Sequence, residues 1–220
     1  YKKQVIRTSI LFFAMRMLVF LFKTILVYDI VYQIVKLVMK ITFLGTGTST
    51  GVPEIGCECI VCKSKDSKDN RLRSSVLIEV NDKRILIDAT PDFRAQMLSV
   101  AFHKIDGVLI SHEHYDHVGG LDDMRPFGQF GEIDIYAEKN VSKALKSRIP
   151  YCFMPVLLAG IPNLRVIEIS TKPFKIEDVE IIPIRVMHHN LPLLSFRIGD
   201  FAYLTDVITV PDEKLHKLKN

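Results

Sequence analysis

The chain has 220 residues, of which 48% are hydrophobic and 25% charged, and this composition excludes an intrinsically disordered protein. Residues 1–38 hold six Lys and Arg against one Asp, a balance of +5, so the net charge of +4 leaves −1 for residues 39–220. A nearly neutral domain offers no broad positive field for a polyanion, and we therefore expect no nucleic-acid partner.

The first segment, residues 1–38, is apolar but interrupted by a charge every six or seven residues. The interruptions fall at Arg16, Lys23, Asp29 and Lys36. On a helix this spacing places the charged residues in a narrow stripe along one side. No uncharged run approaches the roughly 18 residues of a membrane span. We favour a non-native extension that precedes a natural start at Met39. A membrane-surface helix and a weak membrane anchor are the alternatives, and membrane contact is expected only if this segment is native.

From Met39 onward, short apolar or alternating runs bounded by turn residues predict a series of strands with helices between them. Asn81-Asp82 is typical of a hairpin turn. Residues 121–130 read as mixed helix and loop. The predicted strands are Lys40–Leu44, Ser75–Val80, Arg84–Asp88, Gly107–Ile110, Ile133–Tyr136, Arg165–Ile169, Val179–Val186, Leu194–Ile198 and Phe201–Leu204. The predicted helices are Pro91–Val100, Val141–Arg148 and Asp212–Leu218. This order favours packed sheets with helices outside.

Three of the four cysteines lie within six residues, at Cys57, Cys59 and Cys62. Three thiolates in the spacing C-x-C-x-x-C predict a structural zinc site whose fourth ligand comes from elsewhere. Three reduced cysteines in a flexible loop are the alternative. Such crowding differs from a secreted disulfide framework, and Cys152 has no sequence neighbour to pair with, so we expect a cytoplasmic protein.

A hydrophobic strand runs directly into His112-Glu113-His114-Tyr115-Asp116-His117, which holds three imidazoles and an aspartate within six residues. Neutral imidazole and carboxylate are ligands that suit zinc, manganese or iron. Burying so many polar groups together without a metal would leave them unsatisfied, so the segment predicts a metal site. Isolated histidines such as His103 and His216 are expected to be ordinary surface residues.

This segment matches the H-x-H-x-D-H motif, and the chain resembles the metallo-β-lactamase superfamily. The resemblance implies an α+β fold with four layers, an αββα sandwich. It also implies that His112 and His114 bind one metal ion, while Asp116 and His117 bind a second. Asp116 and His117 are therefore the expected catalytic residues.

Two later positions are expected to complete the ligand set. By resemblance, His188 at the end of a predicted strand is the third ligand of the first metal, with His189 as the competing choice. Asp206, which ends another strand, is expected to bridge both ions. Asp88 matches an aspartate that supports the ligands without binding metal. Two divalent ions, Zn or Mn, about 3.5–4 Å apart would share a hydroxide and aim it at an electrophile.

The Gly45-Thr46-Gly47-Thr48-Ser49-Thr50-Gly51-Val52-Pro53 loop and the cysteine cluster narrow the resemblance to the phosphoribosyl cyclic phosphodiesterase branch. This branch implies a small phosphodiester substrate of the phosphoribosyl 1,2-cyclic phosphate type, and a homodimer is compatible with it. Further ligands are expected beyond Asp206, yet only fourteen residues follow, so we predict that the domain of residues 39–220 is incomplete at its C-terminus. A ribonuclease Z-like nuclease and an inactive metal-binding fragment are the alternatives.

Overall fold

The computed structural model describes residues 39–154 and 160–218, together with Lys23. The chain divides into two units, Tyr1–Met39 and Lys40–Asn220, and the fold below is that of the second. The predictions for residues 1–38 lie outside the described residues, apart from an exposed helical Lys23. Among the helices that are described, none is long and apolar enough to cross a bilayer.

The first sheet has six strands, in the order β1-β2-β3-β4-β5-β6. Its first three strands pair antiparallel, and the pairs from β3 to β6 are parallel. Asn81 and Asp82 form the tight turn between β2 and β3, both with positive φ, as the sequence predicts. The strands are β1 (Lys40–Gly45), β2 (Ser75–Val80), β3 (Lys83–Ile87), β4 (Gly107–Leu109), β5 (Ile133–Ala137) and β6 (Leu164–Glu168).

Helices connect the parallel strands, because a parallel pair requires a crossover. The α-helices are α1 (Phe93–Leu98), α2 (Tyr115–Val118) and α3 (Lys139–Arg148). The 3₁₀ segments are Ser67–Asp69, Leu121–Phe130, Pro150–Phe153 and Asp212–Leu218. Apart from Asp212–Leu218, which follows the last strand, these helical segments lie between strands, as the sequence pattern predicts.

The second sheet has four antiparallel strands in the order β10-β9-β8-β7. These strands are β7 (Phe174–Ile176), β8 (Val179–His188), β9 (Leu191–Ile198) and β10 (Phe201–Tyr203). Several contacts tie this sheet to the first, among them a backbone hydrogen bond and a pair of stacked rings. The Leu194 N–H donates to the Ser111 carbonyl at 3.1 Å, and the rings of Tyr136 and Phe174 stack with centroids 5.3 Å apart. The predicted α+β sandwich is confirmed.

The middle of the first sheet is buried on both faces. Residues 76–78 of β2 and 85–87 of β3 have no exposed surface. Continuous apolar runs are typical of strands that are covered on both sides. A strand with one solvent-exposed face instead alternates between apolar and polar residues. These buried strands support the edge of the sheet where β4 ends and the histidine segment begins.

Most elements differ from the sequence-based predictions by one to three residues at an end; β9, for example, begins at Leu191 rather than Leu194, and the predicted helix Asp212–Leu218 is a 3₁₀ segment. Helix α1 begins at Phe93 rather than Pro91 and ends at Leu98, because residues 91–92 form a turn. Strand β8 extends two residues further, to His188, because the left-handed His189 (φ 51°) allows a tight turn into β9. The short strand β7 and helix α2 were not predicted, since each offers too few residues for a periodic pattern.

Candidate metal centre

The histidine segment occupies the carboxyl end of β4. The Ile110 N–H donates to the Tyr136 carbonyl at 3.0 Å, which continues the sheet pairing to the point where the chain turns. His112 and His117 are buried, whereas His114 is exposed. The first turn of α2 brings His117 back to the metal side, with its N–H donating to the His114 carbonyl at 3.0 Å.

Six side chains, called here the His/Asp centre, converge at this edge from both sheets: His112, His114, Asp116, His117, His188 and Asp206. Two overlapping triads are present, one of His114, His188 and Asp206 and one of His112, His117 and Asp206. Within each triad the candidate ligand atoms lie within 4.8 Å of one another. Asp206 belongs to both, which is the position expected of a bridging carboxylate.

The distances refine the expected partition of the ligands. Asp206 Oδ2 lies 3.3 Å from His117 Nε2 and 3.7 Å from His112 Nε2. Asp116 Oδ2 lies 3.2 Å from the same His117 nitrogen, although Asp116 is outside both triads. The structure therefore groups His112 with His117, whereas the resemblance pairs His112 with His114. Asp206 joins the two sets in either case.

The fully buried Asp88 orients the two buried histidines. Its Oδ2 lies 2.7 Å from His117 Nδ1 and accepts the Ser111 hydroxyl at 2.9 Å. Because that hydroxyl donates to Asp88, it is free to accept from His112 Nδ1, 3.0 Å away. Both imidazoles thus carry their N–H on Nδ1 and turn Nε2 toward the centre, the arrangement that supporting carboxylates impose on metal-binding histidines. Ser111 was not predicted from the sequence, because its only signal there is its place beside His112.

Two buried imidazole nitrogens of the centre have no hydrogen-bond partner within the described residues: His112 Nε2 and His188 Nδ1. A buried polar atom without a partner costs on the order of 1–3 kcal/mol, so such atoms are uncommon. Nitrogen lone pairs beside carboxylates are the donor set that divalent zinc and manganese accept. The residues present therefore fit a metal ion.

Charge in the centre is unevenly distributed between the histidines. Burial, together with the nearby His117, lowers the pKa of His112 to about 4, so His112 is neutral at pH 7. Burial would also lower the pKa of His117, but the Asp88, Asp116 and Asp206 carboxylates outweigh it and raise this pKa to about 12. The hydrogen bond from His117 lowers the pKa of Asp206 to about 2. Three carboxylates around one position create a site that holds positive charge.

The backbone is strained at two of these aspartates. Asp88 has φ 61° and Asp206 has φ 50°. Both values lie in the left-handed region of the backbone, which residues other than glycine seldom adopt. Such conformations cost on the order of 1–3 kcal/mol and cluster where a side chain must be aimed. Here they turn the carboxylate of Asp206 toward the histidines and that of Asp88 toward the backs of their rings.

Two arginines hold the segments that carry the ligands. Arg148, at the end of α3, donates to the Glu113 carbonyl at 2.7 Å, between the ligands His112 and His114. Arg185 on β8 forms a two-pronged ion pair with Glu138, with one distance of 2.6 Å, and so joins the sheet that carries His188 to the other sheet. These contacts could not be predicted from the sequence, because they depend on how the sheets pack.

The other histidines lie outside the centre. The ring of His189 is 5.2 Å from that of His188, yet His189 is absent from both triads, so the structure brings in His188 rather than the competing residue. His103 and His216 are exposed, as expected.

The three cysteines of residues 57–62, called here the Cys loop, form a second candidate site. Their sulfur atoms lie within 4.8 Å of one another. The Cys62 N–H donates to Cys59 Sγ at 3.4 Å, and this bond is the main cause that lowers the pKa of Cys59 to about 7. Among residues 39–154 and 160–218, no fourth ligand completes the group.

Residues 83–220 match the family described as beta-lactamase superfamily domain. A solved diphosphatase from the PhnP family is 36% identical with a TM-score of 0.75, and the match covers 82% of this chain and 70% of that one. Human tRNase Z, short form, is 18% identical with a TM-score of 0.58, covers 82% of this chain and 73% of that one, and shares the fold.

Two relatives match in sequence. A protein of Porphyromonas gingivalis (strain ATCC BAA-308 / W83) named octanoyltransferase is 45% identical over 184 residues, which are 83% of this chain and 37% of that protein. Coenzyme PQQ synthesis protein B of Methylobacterium nodulans (strain LMG 21967 / CNCM I-2342 / ORS 2060) is 28% identical over 123 residues, 50% of this chain and 40% of that protein. This chain therefore spans well under half the length of either relative.

Proposed function

The chain belongs to the β-lactamase superfamily, and from this premise we propose that it is a metal-dependent phosphodiesterase that cleaves a small cyclic phosphate of the phosphoribosyl 1,2-cyclic phosphate type. One observation carries the proposal: imidazoles and carboxylates from two sheets converge, with buried ring nitrogens left free for a cation. Divalent ions such as zinc or manganese held there would activate a water molecule and neutralise charge on the phosphate.

The protein's own residues prepare this chemistry. Ser111 and Asp88 fix the His112 ring so that its bare Nε2 faces the centre without rearrangement. The His117 ring is fixed by Asp88 directly. Asp206 is ionised at neutral pH, because its pKa is lowered to about 2, and it belongs to both triads. Preorganised ligands of this kind are what a metal-assisted hydrolysis requires of the protein.

The P. gingivalis relative raises acyl transfer as an alternative. That activity belongs to a protein of which this chain spans 37%, so its name does not assign a function to this segment. Acyl transfer through a thiol needs an accessible thiolate, and burial raises the pKa of Cys152 to about 11. Cys59 is exposed and its pKa is lowered to about 7, so its thiolate is accessible, but it lies with Cys57 and Cys62 in a cluster whose sulfur atoms are placed to hold a metal ion. Metal-dependent hydrolysis uses the imidazoles and carboxylates of the His/Asp centre, whereas acyl transfer through a thiol does not use them.

A second phosphate chemistry, hydrolysis of a diphosphate, is favoured by the similarity to the PhnP-family diphosphatase. Both substrates present a tetrahedral phosphorus to the same centre. The two activities are therefore distinguished by the rates of cleavage measured on each substrate. Processing of tRNA is a weaker candidate, because the similarity to tRNase Z supports the fold alone and residues 39–220 sum to −1.

The test uses the full chain loaded with zinc or with manganese. Initial rates are measured on bis-p-nitrophenyl phosphate, a ribose 1,2-cyclic phosphate, a nucleoside diphosphate and a precursor tRNA. We expect the cyclic phosphate to be cleaved fastest, and chelation to abolish the rate. Faster cleavage of the diphosphate would replace the substrate class but retain the centre. Rates that are unchanged in Asp116→Ala would contradict the proposal.

A further inference from the structure

The backbone of the Cys loop holds two of its cysteines at the separation that a disulfide requires. Residues 59–62 read C-x-x-C, the spacing found in thiol–disulfide exchange motifs. The Lys63 N–H donates to the Cys59 carbonyl at 3.0 Å, so this segment forms a single turn. Such a turn brings the Cα atoms of residues i and i+3 within about 7 Å, and disulfides span about 4.4–6.8 Å. Cys59 and Cys62 are therefore within reach of one another.

The sulfur atoms of the Cys loop are also close together. All three lie within 4.8 Å of one another, and none is part of a disulfide. The Cys62 N–H donates to Cys59 Sγ at 3.4 Å, and the Glu54 N–H donates to Cys62 Sγ at 3.4 Å. Because the backbone separation already fits, rotation of the side chains is enough to bring the sulfurs of Cys59 and Cys62 into contact.

The three thiols differ in their access to solvent and in their backbone support. Cys59 is exposed, whereas Cys57 and Cys62 are half-buried. Residues 57–59 also lack the hydrogen-bonded turn that holds Cys59 near Cys62. An exposed thiol beside a second, resolving thiol is the arrangement found in redox-sensor cysteines. Cys59 is therefore the thiol that an oxidant reaches first, and Cys62 is the thiol that follows.

The Cys loop is separated from the rest of the fold by a paired base. The backbones of Val52 and Arg71 exchange two hydrogen bonds, each of 2.8 Å. A bond formed within residues 59–62 leaves this pairing in place. Oxidation would therefore change the loop and its metal ion while the His/Asp centre keeps its ligands.

We propose that Cys59 and Cys62 form a redox switch, in which a peroxide joins them in a disulfide and the Cys loop releases its metal ion. The Cys59 thiolate attacks a peroxide oxygen, which forms an S–O bond, breaks the O–O bond and releases hydroxide. The Cys62 thiolate then attacks the Cys59 sulfur, so that the S–S bond forms, the S–O bond breaks and a second hydroxide leaves. Two electrons pass from the thiolates to the peroxide. Since metal ions bind thiolates, only Cys57 remains to hold the ion.

The test exposes the reduced, zinc-loaded full chain to hydrogen peroxide and follows two signals. A metal indicator measures released zinc, and mass spectrometry of alkylated, digested protein identifies disulfides. We expect a peptide that links Cys59 to Cys62, together with zinc release that a thiol reductant and added zinc reverse. Circular dichroism, which we expect to be unchanged, confirms that the oxidised chain is folded.

Single substitutions locate the switch within the loop. Cys62→Ser should form no disulfide, and its Cys59 should oxidise further to a sulfinic acid. Cys57→Ser should still link Cys59 to Cys62. The matched control is Cys152→Ser, which changes a buried cysteine outside the loop and should respond as the wild-type chain does. Thiols that stay free under peroxide, zinc that stays bound, or a disulfide that forms equally in Cys62→Ser would each overturn the proposal.

Discussion

The His/Asp centre gathers its ligands from residues 112 to 206 and from both sheets, whereas the Cys loop gathers three ligands from six consecutive residues. The first site is backed by the fully buried Asp88 and by wholly buried strands, while Cys59 of the second is exposed. A buried centre assembled from distant segments is held in place by the whole fold. A local loop has few contacts that hold it. A metal ion bound by the Cys loop would therefore stabilise the loop, whereas in the His/Asp centre the fold positions the ligands for the metal.

The largest expected difference between the sites is in catalysis. Asp116→Ala should lower kcat by roughly 10³-fold or more, because it removes a charged group in contact with His117 while leaving the fold intact. Cys59→Ser, the matched change in the Cys loop, should keep most of the activity. Steady-state rates on bis-p-nitrophenyl phosphate measure both. Equal losses in the two variants would remove the distinction between a catalytic and a structural site.

Close packing behind the His/Asp centre gives the next effect. A Cβ atom on Gly120 would lie 2.1 Å from the Thr90 carbonyl oxygen and 2.5 Å from Phe93 Cβ. Gly120→Ala should therefore lower the free energy of unfolding by roughly 1–3 kcal/mol, as overpacking does. Gly128→Ala is the control, since nothing lies within 4 Å of its added Cβ. Urea denaturation compares them, and a Gly120→Ala protein as stable as its control would contradict the packing.

The hydroxyl of Ser111 tests how the centre is oriented. Ser111→Ala removes the link between Asp88 and His112, so metal affinity should fall by about 10–100-fold, the usual effect of losing such a supporting group. Ser142→Ala is the control, because the buried Ser142 hydroxyl has no partner to lose among the described residues. Competition with a metal indicator measures the affinity. Equal affinities in the two variants would show that the ring of His112 needs no support.

The pKa values predict a smaller effect, on protons released by metal binding. His117 holds a proton at pH 7 because its pKa is raised to about 12, and ligation through Nε2 must displace that proton. Zinc affinity of the His/Asp centre should therefore rise with pH between 6 and 8. His112, with a pKa lowered to about 4, releases none. Calorimetry in buffers of different ionisation enthalpy counts the protons, using Cys59→Ser to silence the Cys loop. Binding that releases no proton would contradict the charge assigned to His117.

The sequence predicted best where chemistry and periodicity coincide. A buried apolar strand that runs into His112 marks a strand end, and the pattern of β8 places His188 beside the end of another. The contacts that aim these ligands were not predictable in the same way. The left-handed conformation of Asp88 and the alignment of Arg185 with Glu138 depend on tertiary packing, which overrides local preference. Ser111 is an ordinary residue in sequence and gains its role only from the fold around it.

The proposed hydrolysis requires that cations are held where the two sheets meet. Crystals of the chain grown with zinc, with data collected on both sides of the zinc absorption edge, would locate the ions directly. We predict anomalous peaks within bonding distance of His112, His114, His117, His188 and Asp206, and a separate peak at the Cys loop. An anomalous map with zinc at the Cys loop and no density among the histidines would contradict the central claim.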